Sequence, residues 1–174
     1  MTRAALFIAA AAGALAISAP AQAAAGPTDP QIAHIAYTAG SIDIAAAKQA
    51  LKMSHNATVR DFAQQMVRDH EAVNAKALAL VKKLHVTPEA NATSASLSKS
   101  ANAELAKLSK LKGAAYDREY LNNEVAFHKA VNGALKSTLI PSADNADLKS
   151  LLETGLSLFQ EHQAHAEQVA AKLK

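Results

Sequence analysis

The chain has 174 residues, with 18 Lys and Arg against 15 Asp and Glu, and no cysteine. The missing thiols exclude disulfides, c-type haem attachment, thiolate metal sites and a lipidated cysteine. A net charge of +3 is too small to argue for nucleic acid.

Residues 1–23 read as a secretory signal. Arg3 supplies the positive start, Ala4 to Ile17 is an apolar run broken only by Gly13, and Ala21-Gln22-Ala23 is a small-x-small cleavage site. The run is short for a membrane anchor, which needs roughly 20 apolar residues. Export to the periplasm or cell envelope is therefore expected, with cleavage after Ala23. Without Arg3, 17 Lys and Arg face 15 acids, a charge of +2. No second stretch is long and apolar enough to span a membrane. The mature chain is expected to touch the envelope at most peripherally, and a homo-oligomer is compatible with it. Lacking disulfides, it depends on its core, and about 150 residues suffice for one such core.

Residues 24–28 read as a short tail, and residues 29–174 as one helical domain. Asp29 is a candidate cap and Pro30 suits a first helical turn. The first apolar stripe is Ile32, Ile35, Ala36, Ala39, Ile42, Asp43, Ala46, Ala50 and Met53, in steps of three and four. Ser54-His55-Asn56 ends that helix, and Asn56 can cap the next. The second stripe runs from Val59 through Phe62, Met66, His70, Val73, Ala77 and Leu80 to Leu84, and Thr87-Pro88 stops it.

Pro88 to Ser96 reads as a loop, and Leu97 to Leu111 as a short crossover helix interrupted at Gly113. Tyr116, Tyr120, Glu124, Phe127, His128, Val131 and Leu135 share a face of the next long helix, which Ile140-Pro141 ends. Ser142 and Asp144 are candidate caps for the last helix. Its stripe runs from Leu148 through Leu152, Gly155, Phe159, His162 and Ala166 to Leu173. The expected fold is all-α: an antiparallel four-helix bundle with a short crossover helix between the second and third long helices.

Each long helix carries an ionisable group where its stripe calls for an apolar residue: Asp43, His70, His128 and His162. Glu124 lies one turn before His128 on the same face. Asp43 is 13 residues before the turn at Asn56 and His70 is 14 after it, so at about 1.5 Å per residue they sit nearly level. His128 and His162 flank the turn near Pro141 to within about one helical turn of each other. If the hairpins pack face to face, all these groups converge. Three imidazoles and carboxylates suit zinc, copper, iron or manganese.

The first reading is nevertheless a structural, interaction or stress-related protein of the envelope, in which these groups form a polar network that fixes register, with Tyr116, Asp117 and Tyr120 as partners; metal binding is the alternative. His165 either joins His162 or faces solvent. Asp69 and Glu161 point about 100° from the stripe and read as exposed or as outer partners. His34, His55 and His85 read as surface residues. Lys99, Lys107, Lys110, Lys112 and Arg118 gather in one region, read as a solvated face. No nucleophile elbow, phosphate loop, dinucleotide fingerprint or His-Glu-x-x-His is present, so no catalytic or organic-cofactor residue is assigned.

Four segments carry a family resemblance: Asp29-Pro30-Gln31; Phe62-x-x-x-Met66-Val67-x-Asp69-His70; Tyr116-Asp117-x-x-Tyr120 leading to His128; and His162-x-x-x-Ala166. Together they resemble the bacterial domain of unknown function 4142, over about Thr28 to Leu173. The resemblance implies a ferritin-like fold and an envelope location, and no established reaction. Asp43 stands where the family usually carries glutamate, which shortens the reach by one methylene. The paired Glu-x-x-His motifs of ferritin-like di-iron proteins are absent, which argues against ferroxidase or oxygenase chemistry.

Overall fold

The computed structural model describes residues 26–173, so the leader read over 1–23 and the start of the tail lie outside it. All regular structure among the described residues is helical: α1 (Asp29–Met53), α2 (Ala57–Lys83), α3 (Ala92–Leu108), α4 (Gly113–Ala134), a π-helical segment (Leu135–Leu139), the single turn α5 (Ile140–Ser142) and α6 (Ala146–Lys172). None of these helices is long and apolar enough to cross a membrane.

The caps follow simple chemistry, not always at the expected residue. Asn56 accepts from the amides of Thr58 and Val59, as expected. The residue that begins α1 is Thr28, with Gln31 reaching back to its amide at 3.3 Å, and Asp29 is already helical. Asp29 instead accepts the amides of Asp144 and Asn145 at 3.0 and 2.9 Å, tying the first helix to the start of the last. The cap of α6 is Asn145, which bonds the amides of Asp147 and Leu148, in place of the expected Ser142 or Asp144.

The crossover helix starts earlier than its apolar pattern suggests, at Ala92. Asn91 caps it through the Ser94 amide at 3.0 Å, and apolar periodicity carries no signal for a polar first turn. Pro141 does not stop α4 outright. The backbone widens to π geometry over the preceding turn, which accommodates a ring that clashes with the ordinary i−4 carbonyl.

Three residues join α1 to α2, and three join α5 to α6, so each pair folds back on itself. α1 packs along α2 and α4 along α6, while α1 also meets α4, and α2 meets α6. α3 lies along α1 and returns the chain to the far end. The buried apolar residues fall into two clusters. Near the α1–α2 turn, Ala47, Ala50, Val59, Phe62, Met66, Tyr116, Tyr120, Leu121 and Ala166 are fully buried. Toward the other end lie Ile32, Ile35, Leu135, Leu139, Leu148, Leu152 and Phe159. Alanines at 46, 47 and 50 let α1 approach its neighbours closely around the aromatic rings of the first cluster.

Candidate metal centre

Between the two apolar clusters lies a belt of buried polar groups: Asp43 on α1, His70 on α2, Glu124 and His128 on α4, and His162 on α6. All five are at most 3% exposed. The level placement expected from residue counts is what brings them together. The Asp43 carboxylate oxygen Oδ2 stands 3.6 Å from Nε2 of His70 and 3.6 Å from Nε2 of His128. One ring nitrogen from each of His70, His128 and His162 lies within 4.8 Å of the others. Asp43, Glu124 and His128 form a second trio within the same limit.

The hydrogen bonds around the belt fix which nitrogens are free. His128 Nδ1 lies 2.9 Å from the backbone carbonyl of Glu124. A carbonyl only accepts, so Nδ1 carries the proton and Nε2 keeps its lone pair. His162 Nε2 lies 3.0 Å from Asp69 Oδ2, which likewise puts the proton on Nε2 and leaves Nδ1 bare. His70 is held by stacking on Phe159, with ring centroids 4.7 Å apart and planes at 9°. Neither of its nitrogens has a hydrogen-bond partner.

The two bare nitrogens, His128 Nε2 and His162 Nδ1, are also buried and unpartnered, as are both Asp43 oxygens and Glu124 Oε2. A buried polar atom without a partner costs about 1–3 kcal/mol. Seven such atoms lie within one belt, and Asp43 and Glu124 interact directly with each other. The seven include donor atoms of two groups, His70–His128–His162 and Asp43–Glu124–His128, that could hold a metal ion.

Burial also sets the charges. It lowers His70 to about 2, with His128 and His162 adding to the effect, and lowers His128 to about 4. His162 is lowered by burial too, partly offset by Asp69. All three imidazoles are therefore neutral at neutral pH and able to bind a cation without losing a proton. The carboxyl groups go the other way. Burial raises Asp43 to about 7 and, with Asp43 beside it, raises Glu124 well above the usual range.

Other expectations resolve unevenly. Asp69 acts as an outer partner, but of His162 across the helix interface and not of its sequence neighbour His70. His165 does not join His162; it bonds Gln65 at 3.0 Å and meets Phe62 edge-on. Tyr116 donates to Gln49, and neither Tyr120 nor Asp117 bonds a belt histidine, so the tyrosine–aspartate partnership is absent. His34 is half-buried beside Thr38, while His55 and His85 are exposed.

Two further buried groups escaped the sequence reading. Asn74 follows His70 by one turn, and Asn132 follows His128 by one turn. Asn132 donates to the Phe159 carbonyl at 3.2 Å and to Gln163 at 3.0 Å, bracing α4 against α6 beside the belt. Their i+4 spacing from the histidines was the available signal.

An all-helical protein with a buried three-histidine, two-carboxylate belt is the class these features define. The family model described as domain of unknown function (DUF4142) matches residues 14–169, and the chain belongs to that family. No curated protein and no solved structure matches the chain.

Proposed function

We propose that this protein is an exported helical protein of the bacterial envelope that holds one divalent transition-metal ion in its core. His70, His128, His162 and Asp43 are the ligands, with Glu124 as a further carboxylate. In this reading residues 1–23 are a cleaved leader, and residues 29–174 form a single antiparallel four-helix bundle of ferritin-like kind. α3 is its crossover, and any contact of the mature chain with the envelope is peripheral. The observation that carries the metal assignment is the convergence of bare, buried, unpartnered nitrogens whose tautomers are set from behind by Asp69 and by the Glu124 carbonyl. Such outer partners orient metal-binding imidazoles in general.

Charge balance supports a dication. Glu124, whose carboxyl is held well above the usual range by burial, and Asp43, raised to about 7, would both be ionised beside M²⁺, and the site is then neutral overall. Three imidazoles with carboxylate oxygen suit zinc, copper and iron better than manganese, which favours oxygen-rich sites. Two nitrogens come from helices joined by no short loop, so the ion also cross-links the α1–α2 and α4–α6 pairs. Storage, sensing or protection are the roles such a site can serve.

Elemental analysis of protein isolated from its native compartment without a histidine tag tests the reading. One equivalent of a transition metal is expected, and its loss in the combined His70→Ala, His128→Ala, His162→Ala variant. A metal-free protein whose melting temperature zinc, copper, iron and manganese all leave unchanged would sink it.

A further inference from the structure

Beyond the belt, on the side of the α1 and α6 N-termini, the long helices do not close on one another. They surround a cavity of about 790 Å³ that is partly open to solvent. Its floor is Phe159, the ring that stacks on His70. On α2 the effect is visible along one face. Val59, Phe62, Met66 and His70 are buried, whereas Val73, Ala77 and Leu80, continuing the same stripe, are only half-buried.

The lining is aliphatic and aromatic, and no ionisable side chain belongs to it. Its few polar groups are largely engaged. Asn74 donates to Ser41 and to the Tyr37 carbonyl, Asn91 caps α3, and Gln31 bonds the Thr28 amide.

Because the pocket opens to solvent it fills with water, and an apolar occupant would release that water from its apolar walls. At roughly 30 Å³ per water-sized atom the space takes about 25 such atoms. An ionised group would leave water with no countercharge to meet it.

We propose that this cavity is a binding site for an uncharged, hydrocarbon-rich small molecule of up to about 25 non-hydrogen atoms. The assignment is independent of the metal reading, since no belt ligand contributes to the walls. The shape of the occupant, linear chain or compact ring system, follows from competition.

The purified chain is titrated with the neutral fluorophore N-phenylnaphthylamine, with cetyl alcohol and camphor as linear and compact competitors. Saturable binding of one probe per chain is expected, with displacement by at least one of the two. Palmitate, which carries a charge, should compete at least tenfold less well than cetyl alcohol; equal competition overturns the uncharged assignment.

A Cβ at Gly155 meets only ring carbons of Phe159, at 3.5 and 3.8 Å, so a larger side chain there grows into the space. Gly155→Leu should weaken probe binding tenfold or more while the helical circular dichroism spectrum is kept and the melting temperature does not fall. Ala36→Leu fills the cavity from α1 and provides the same test should the first variant not fold. Undiminished binding in a folded, filled variant overturns the proposal. So does loss of binding in Leu78→Gln, which alters an exposed side chain (49% accessible) outside the lining. A chain that self-associates through the cavity mouth and takes up no probe in sedimentation experiments refutes it as well.

Discussion

Replacing Asp43 by asparagine should favour the metal-free variant over wild type increasingly as pH rises, because the native carboxylate is costly to bury. The folded carboxyl titrates at about 7 against an ordinary value of 3.8. Below 3.8 it is protonated in both folded and unfolded chains, and the wild type keeps all of its stability from this source. As pH climbs to about 7 the unfolded chain has released the proton and the folded one has not, so stability is lost across that window. A difference of about three pH units corresponds to on the order of 4 kcal/mol.

Asparagine does not titrate, so Asp43→Asn escapes that loss. Its buried amide has a fixed packing cost of about 1–3 kcal/mol if left unpaired, independent of pH. The decisive quantity is therefore the difference in unfolding free energy between variant and wild type, measured by urea denaturation in chelator across the window. It should swing toward the variant by a few kcal/mol between acid and neutral pH and then level off. A flat difference, or one that swings the other way, refutes the picture of a carboxyl held neutral by burial. The same variant should bind metal more weakly than wild type, so the residue that destabilises the empty core is one that the filled core needs.

Other consequences of the belt are open to measurement. Metal binding near neutral pH should release between one and two protons, taken from Asp43 and Glu124 and none from the imidazoles, when titrated calorimetrically in buffers of different ionisation enthalpy. Release of no proton would contradict the assigned charge states. Asp69→Asn should lower metal affinity about 10- to 100-fold by loosening the hold on His162. Its effect on stability should be small, because the Asp69 side chain is 28% exposed; a metal affinity equal to wild type would remove Asp69 from the site. Gly40→Ala should destabilise by about 1–3 kcal/mol, because a Cβ there overlaps the buried Asn74 carboxamide oxygen and displaces its bonds to Ser41 and Tyr37. Thermal unfolding indistinguishable from wild type would show that Asn74 has room to move.

The belt was legible before the structure because its signal is one-dimensional. A polar residue on an apolar stripe, counted from a short turn, gives a height, and heights align across a hairpin. The caps were less legible. Thr28, Asp29, Asn145 and Asp144 are all competent capping types, and choosing among them depends on how the first and last helices meet. Asp29 shows this most clearly, since its two amide bonds lie more than a hundred residues away in sequence. The cavity was invisible for a related reason. Val73, Ala77 and Leu80 have the same composition and spacing as a filled core, and only the separation of the helices shows that nothing opposite reaches them. Asp69 was read only as exposed or as an outer partner; which histidine it serves was not legible, because that histidine, His162, belongs to another helix.

The belt also divides the labour of the fold. On one side the interior is closed and filled with aromatic rings, and that half anchors the ligand-bearing helices. On the other side it is hollow, and substitutions there can reshape the chamber while leaving most ligand supports in place. His70 is the exception, since its only stacking support, Phe159, is also the chamber floor. Substitutions in this chain can therefore reshape the chamber, subject to one boundary condition: an aromatic side chain at position 159.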